Sequence, residues 1–172
     1  MIHRLLTVLA IVMTALPVLA AEVRVSFPDG GAVVFAAPSG WKAGQADSNW
    51  TVSITPEVGN SFQVLLSPIG VRDAPHIDAE SLHRLVGMSA ERALTQSVET
   101  SLPLHDLKGP DVRGTYFSAT DRAPGPGEFK YLTQGAMAVG GRAVAFTILS
   151  NGGPRLSVEP ALRMLQSAVP ER

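Results

Sequence analysis

The sequence predicts an α+β fold in which a twisted antiparallel sheet is packed by two amphipathic helices. Three observations lead to it: short runs alternate hydrophobic with polar residues, glycine and proline separate these runs, and two later segments repeat hydrophobic residues at a helical period. Alternation puts one face of a strand in the core, whereas a period near 3.6 marks one stripe of a helix. Hairpins without βαβ alternation favour a sheet whose helices cover its faces.

The first 20 residues have the three parts of an export signal. Arg4 supplies a positive charge, residues 5–16 are mostly apolar, and the segment ends with Pro17-Val18-Leu19-Ala20. Export machinery recognises this order, and a spanning helix would need about 20 apolar residues before a breaker such as Pro17. We therefore expect cleavage near Ala20 or Ala21, leaving a single periplasmic or secreted domain over residues 21–172 that is not inserted in the membrane.

Composition excludes several classes of function. The chain has 14 Lys and Arg residues, 15 Asp and Glu residues and no cysteine. This balance lacks the positive footprint that nucleic acid binding requires, so no nucleic-acid partner is expected. Without cysteine there is no disulfide, thiol nucleophile or cysteine lipid anchor. A domain of this length can be held by its hydrophobic core alone, and the sequence indicates no cofactor.

The first third predicts hairpin strands. Its alternating runs contain Val23, Val25 and Phe27; Val33 and Phe35; Trp50, Val52 and Ile54; and Phe62, Val64 and Leu66. Pro28-Asp29-Gly30-Gly31 supplies turn residues between the first two runs, which predicts a hairpin with one buried face. Residues 42–49 are interpreted as a loop between Trp41 and Trp50, and both tryptophans are expected to contact the core.

A helix is predicted from Asp78 to about Val98. Its apolar stripe contains Leu82, Leu85, Val86, Ser89 and Ala93. Asp78 is the expected N-cap, because a carboxylate there accepts from the free amides of the first turn. Glu80 and Arg84, four residues apart, are expected to pair on the solvent face.

The remainder predicts an edge segment, a three-strand meander and a closing helix. Leu102, Leu104 and Leu107 surround Pro103, which favours an edge strand because proline cannot donate to a ladder. The meander strands are residues 112–122, 128–139 and 142–151, and Gly140-Gly141 suits a tight hairpin. The closing helix has Ser157 as its expected cap and an apolar stripe of Val158, Ala161, Leu162, Leu165 and Val169.

Residues 33–41, with the sequence Val-Val-Phe-Ala-Ala-Pro-Ser-Gly-Trp, resemble the short strand and Pro-x-Gly-Trp turn that open Mog1/PsbP-like domains. The order of hairpin strands, helix, meander and terminal helix is also similar. Members of this group are largely non-enzymatic and include an extrinsic photosystem subunit, a GTPase-binding protein and bacterial envelope lipoproteins. The resemblance implies a binding role and carries over no catalytic residue. The chain lacks the lipobox cysteine of the lipoproteins.

Two motifs have the residue types of a chemical site. His76, Asp78, Glu80 and His83 are possible metal ligands within eight residues. Di-metal bundles use such carboxylate and imidazole spacing with a second matching helix, which this chain lacks, so capping and solvation are the favoured roles. Adventitious metal binding at His76, Glu80 and His83 stays open.

Ser39-Gly40-Trp41-Lys42 matches the Ser-x-x-Lys of penicillin-binding enzymes. That chemistry places the serine at a helix start, whereas Pro38 and Gly40 favour a turn here. A triad of His105 with Asp106 or Asp111 and a serine stays open, because triads assemble in space. The simpler interpretation of His105 and Asp106 is a polar pair in a surface segment.

The leading hypothesis is an accessory protein, not an enzyme, that binds an envelope protein partner at a sheet edge or at the Trp41 loop. The candidate partner-binding residues are Trp41, Lys42, Arg122 and Arg155. Two alternatives remain: a small hydrolase whose site assembles in space, and a carrier that holds a small apolar ligand between sheet and helix. The small residues that would leave room for such a ligand are Ala136, Ala138, Ala143 and Ala145.

Overall fold

The structure, a computed structural model, describes residues 21–46, 50–59, 61–70, 78–152 and 158–171. The predicted export signal, residues 1–20, lies outside the described residues, as do His76, Arg155 and the expected cap Ser157. Neither of the helices in the described ranges has the length and hydropathy of a membrane-spanning segment.

The described elements are ten strands and two helices. In chain order they are β1 (Ala21–Ser26), β2 (Ala32–Ala37), β3 (Trp41–Gln45), β4 (Val52–Pro56), β5 (Phe62–Ile69), α1 (Ala79–Leu94), β6 (His105–Lys108), β7 (Val112–Thr120), β8 (Tyr131–Val139), β9 (Arg142–Ser150), α2 (Val158–Gln166) and β10 (Val169–Pro170). The α+β class is confirmed.

The strands form two sheets instead of the single sheet that the sequence predicts. The small sheet has the order β1-β2-β10, and the large one has the order β3-β4-β5-β9-β8-β7-β6. All of the strand pairings are antiparallel. The N-terminal hairpin is confirmed, with Val23 opposite Phe35 and Val25 opposite Val33. The hairpin belongs to the small sheet, and its buried face packs against the large sheet as a separate layer.

The main core lies between the small sheet, α2 and one face of the large sheet. Val25 and Phe35 of the hairpin, Phe146 of β9 and Leu165 of α2 belong to this cluster. Each of these side chains is at most 1% exposed. A second core lies on the opposite face of the large sheet, where α1 packs on β7 and β8. The large sheet is therefore the middle layer of the domain.

The helix α1 starts as predicted and is shorter than predicted. The Asp78 carboxylate accepts a hydrogen bond from the Ser81 amide at 2.7 Å, which confirms the N-cap. The helix ends at Leu94 instead of near Val98. Arg84 and Glu80 form the expected ion pair at 3.1 Å. In the predicted apolar stripe Leu82 is buried, whereas Leu85 is 39% exposed, so the helix buries a narrower face than its sequence indicates.

The meander is confirmed, and its tight turn is made by two glycines. Gly140 and Gly141 have φ angles of 57° and 82°, which residues other than glycine rarely adopt. The closing helix is also confirmed, but it ends at Gln166. Val169 does not extend its apolar stripe, because this residue lies in β10 and pairs with Val34 of β2.

Candidate functional site

The strand β6 forms one edge of the large sheet and was expected from the leucines around Pro103. It pairs with β7, with Asp106 opposite Thr115 and Lys108 opposite Arg113. Leu107 is 1% exposed and anchors the strand in the main core. Within the described residues no strand lies beyond β6. This strand therefore presents an unpaired backbone edge.

The backbone groups that face this open edge belong to Asp106 and Lys108. The Gly109 amide donates to the Val112 carbonyl oxygen at 3.1 Å, so this pair is hydrogen bonded. Hydrogen-bonded and non-bonded pairs alternate along an antiparallel ladder. Leu107 is therefore bonded to β7, whereas the N–H and C=O groups of Asp106 and Lys108 point away from the sheet.

A cavity of about 350 Å³ lies beside this edge, between the first turns of α1 and strands β6 and β7. It is lined by Ala79, Glu80, Leu82, His83, Asp106, Leu107, Lys108, Arg113, Gly114 and Thr115. Leu82 is 1% exposed and Thr115 is 7% exposed, so both form its floor. We call this cavity together with the outer edge of β6 the edge groove. Its volume is in the range of pockets that bind small molecules or single side chains.

The rim of the edge groove is charged. Lys108 Nζ lies 2.7 Å from Asp106 Oδ2, and this hydrogen bond with the lysine charge holds the pKa of the Asp106 carboxyl below its ordinary value. Arg113 donates to the carbonyl oxygens of Gly109 and Val112, both at 2.7 Å. Charged residues at a sheet edge discourage indiscriminate strand pairing.

His83, Asp106 and Thr115 line the same cavity, which makes a catalytic arrangement the first alternative to consider. The Thr115 hydroxyl donates to the His105 carbonyl oxygen at 3.1 Å, and the Asp106 carboxylate accepts from Lys108. Within the described residues no hydrogen bond joins His83 to either group. An activated nucleophile needs a base within hydrogen-bond reach, and this arrangement holds the hydroxyl in a structural bond instead.

His105 does not pair with Asp106, although both are exposed as predicted. Successive side chains of a strand point to opposite faces. The His105 ring lies against Tyr116, with ring centroids 5.3 Å apart. The Asp106 carboxylate lies on the other face with Lys108. The geometry therefore separates His105 from Asp106, one of the two acids suggested for the triad.

The predicted partner-binding residues are not brought together. Trp41 and Lys42 lie on β3, whereas Arg122 follows β7 and donates to the Ser97 carbonyl oxygen at 2.7 Å. Five strand spacings separate β3 from β7 in the large sheet, which corresponds to roughly 24 Å at about 4.8 Å per strand. Arg155 lies outside the described residues.

The expected loop from residue 42 to residue 49 is wrong in its first part, because Trp41–Gln45 forms the other edge strand of the large sheet. The Trp41 ring is half-buried and meets Phe62 edge-on, with centroids 5.0 Å apart. Trp41 thus contacts the core, as expected. Lys42 is exposed on the opposite face. Trp50 was expected in the core but is 47% exposed, because β4 begins two residues later.

The Ser-x-x-Lys motif and the group of possible metal ligands near the start of α1 have structural roles wherever their residues are described. Gly40 has a φ of 74°, so Ser39-Gly40-Trp41-Lys42 is a turn that leads into β3 and not the start of a helix. Asp78 caps α1 and Glu80 pairs with Arg84. Within the described part of the chain, no group of three or more histidine and carboxylate side chains could hold a metal ion.

The small residues that the carrier hypothesis invoked lie partly beneath α1. Ala136 is 1% exposed and Ala143 is 3% exposed, and both belong to the cluster that contains Leu82, Val86 and Ala90 of the helix. Ala138 packs against the same cluster. These alanines let the helix approach the sheet closely.

Comparison with known proteins returns neither a matching protein-family model nor a matching curated sequence.

Proposed function

We propose that this protein is an exported accessory protein that acts by binding a protein partner, and that the partner adds an extended segment to β6 in the edge groove. One observation carries the proposal: the outward backbone groups of Asp106 and Lys108 lie directly beside a cavity of about 350 Å³. Addition of a strand to an open sheet edge provides affinity through main-chain hydrogen bonds, and pockets for alternate side chains provide specificity.

The composition of the edge groove supports an apolar side chain as the inserted group. Its floor is formed by Leu82 and by Thr115, whose hydroxyl is already bonded to the His105 carbonyl oxygen, and the charges at its rim are largely engaged with one another or with carbonyl oxygens. A strand added beside β6 would turn every second side chain toward this floor. Export, and the Mog1/PsbP-like assignment that rests on residues 33–41 and on the order of the elements, are parts of the same proposal.

The proposal is tested with a partner captured from an envelope extract of the source cells and then purified. Lys108→Pro removes one of the two outward N–H groups of β6, and proline is tolerated where an edge strand donates to solvent. We expect partner binding to weaken at least about tenfold, which corresponds to about 1.4 kcal/mol. Lys108→Ala keeps the amide, removes the charge and should retain most of the affinity.

Ala43→Pro is the matched control on the other edge of the large sheet. The Glu57 amide donates to the Gly40 carbonyl oxygen, so alternation places the Ala43 amide on the outer side of β3. Equal loss of binding in both proline variants, or loss only in Ala43→Pro, would overturn the assignment to β6. Export is tested separately by the N-terminal residue of the purified protein, which should be Ala21 or Glu22 and not Met1.

A further inference from the structure

The helix α1 has a glycine in its middle, at position 87, which is half-buried. Gly87 does not have a positive φ angle, so its backbone conformation is open to other residues. Among the described residues, a Cβ atom at this position would meet only Leu104 Cδ1, at 3.9 Å, which is an ordinary contact. Glycine is the least favourable residue in a helix interior after proline. An alanine would therefore stabilise α1 without a clash.

Gly87 lies one step along the edge groove from its cavity. His83 lines the cavity and precedes Gly87 by four residues, so both face the same side of α1, about 6 Å apart along its axis. Asp106 also lines the cavity, and Leu104 precedes it by two residues, which is about 6.7 Å along an extended chain. The helix and the edge segment thus advance by nearly the same distance, from the cavity to the place where Leu104 meets Gly87.

We call the space beside Gly87 and Leu104 the Gly87 notch. Leu104 is half-buried and packs against the second core, as does Leu102. Gly87 contributes no side chain to this space. The notch is therefore apolar, and it is continuous with the side of the cavity that His83 and Asp106 form.

A strand added to β6 would pass the cavity and the Gly87 notch in turn. The outward backbone groups of β6 belong to Asp106 and Lys108, and Leu104 has the same parity along the chain. Every second side chain of an added strand would face α1, with about 6.7 Å between them. This spacing equals the distance from Asp106 to Leu104. Two side chains that are two residues apart in the partner can therefore face the cavity and the notch together.

We propose that the partner's segment has a hydrophobic-x-hydrophobic pattern, with one apolar side chain in the cavity and the other in the Gly87 notch. Gly87 is the residue that selects for the second side chain. This inference rests on the proposed addition of a strand to β6. Glycine lets another chain approach closely, because it has no Cβ atom. It thus lowers the stability of the free helix and leaves room for the partner.

Short random segments displayed on phage and selected on the wild-type protein provide the probe. We expect the selected segments to share the hydrophobic-x-hydrophobic pattern and to bind Lys108→Pro at least about tenfold more weakly. One such segment is then synthesised and titrated by fluorescence anisotropy. Gly87→Ala should weaken its binding about threefold and Gly87→Leu about tenfold or more, because both side chains fill the notch. Unchanged affinity for Gly87→Leu would overturn the proposal.

Ser89→Ala is the matched control for helix propensity. Ser89 lies about 200° around the helix from Gly87, and its hydroxyl donates to the Leu85 carbonyl oxygen at 3.2 Å. Ser89→Ala and Gly87→Ala should both raise the melting temperature, because alanine is the better helix former. Only Gly87→Ala should weaken binding of the segment. Equal weakening in the two variants would mean that helix stability, and not the notch, controls the affinity.

Truncation of each hydrophobic residue of the segment to alanine identifies the side chain that occupies the notch. After truncation of that side chain, Gly87→Leu should have no further effect on affinity, whereas it should keep its effect after truncation of the other. Equal effects of Gly87→Leu on both truncated segments would contradict the pattern.

The same titrations separate the notch from strand addition itself. Segments that are sensitive to Lys108→Pro but to neither Gly87 variant would refute the notch and leave strand addition at β6 standing. Failure to select any segment that is sensitive to Lys108→Pro would contradict both.

Discussion

The hydroxyl of Thr115 donates a hydrogen bond to the carbonyl oxygen of His105 across the last two strands of the large sheet, at 3.1 Å. Thr115 is 7% exposed and lies on the floor of the edge groove. A buried side chain thus ties the edge strand β6 to the sheet at the point where we propose that a partner binds.

Thr115→Val replaces this hydroxyl with a methyl group of similar shape. The variant should lose about 1 kcal/mol of unfolding free energy, because a buried hydrogen bond is removed and the His105 carbonyl oxygen loses one donor. Chemical denaturation measures the change. Thr55→Val on β4, where the residue is only partly buried, is the control and should change stability little. Equal effects in the two variants would contradict the proposed role of Thr115.

Leu82→Ala and Leu85→Ala should differ strongly, although both residues belong to the predicted stripe of α1. Leu82 is 1% exposed, and its truncation should cost about 2–5 kcal/mol because a cavity forms between helix and sheet. Leu85 is 39% exposed, so its truncation should lower the free energy of unfolding far less. Thermal and chemical unfolding measure both changes. A similar cost for the two variants would mean that α1 is packed through a different face.

Gly114→Ala should destabilise the protein, whereas Gly44→Ala should not. A Cβ atom at Gly114 would lie 2.6 Å from the Ala136 carbonyl oxygen and 2.7 Å from Met137 Cβ, so β7 and β8 would have to separate. Overpacking of this kind costs about 1–3 kcal/mol. A Cβ atom at Gly44 meets nothing within 4 Å. Equal unfolding midpoints for the two variants would show that the strands do not approach as described.

The contribution of Glu99 to the free energy of unfolding should decrease as the pH is lowered. Its pKa is about 2 in the folded protein, below the ordinary 4.5, so the folded state binds fewer protons than the unfolded state over this range. The stabilisation is therefore present above about pH 4.5 and lost as pH falls toward 2. The difference in unfolding free energy between wild type and Glu99→Gln should be about 1 kcal/mol near pH 6, discounted for partial solvent screening. This difference in unfolding free energy should be smaller near pH 3.

A constant difference between wild type and Glu99→Gln across that range would contradict the lowered pKa of this carboxyl. Glu91→Gln, at an exposed position on α1, is the control.

The sequence predicts most of the elements because their signals are local. Turn glycines such as Gly140 and the capping residue Asp78 act within a few residues of themselves, and the structure confirms both. The strand β3 was missed because it is an edge strand whose residues after Trp41 are exposed, so they show no hydrophobic alternation. Trp50 was misplaced because an aromatic residue in phase with Val52 and Ile54 need not lie in their strand.

The candidate sites depend on contacts that no local pattern contains. The edge groove joins residues 79–83 to residues 106–115, and the leucines around Pro103 were the only signal, since they predicted an edge strand there. A cavity of about 120 Å³ on the other face of the large sheet has Glu99 and Ser150 in its lining because β7, β8 and β9 are paired. Serines and threonines on a strand are indistinguishable by sequence pattern from solvent-facing residues. Their convergence follows from the register alone.

Amide hydrogen exchange at β6 tests the central claim most directly. In the free protein the Lys108 amide should exchange rapidly while the Leu107 and Gly109 amides, which face β7, are protected. Addition of the purified partner should slow exchange at Lys108 and leave Ala43 on the other edge unchanged. Exchange at Lys108 that is equally fast with and without the partner, together with new protection at Ala43, would contradict strand addition at β6.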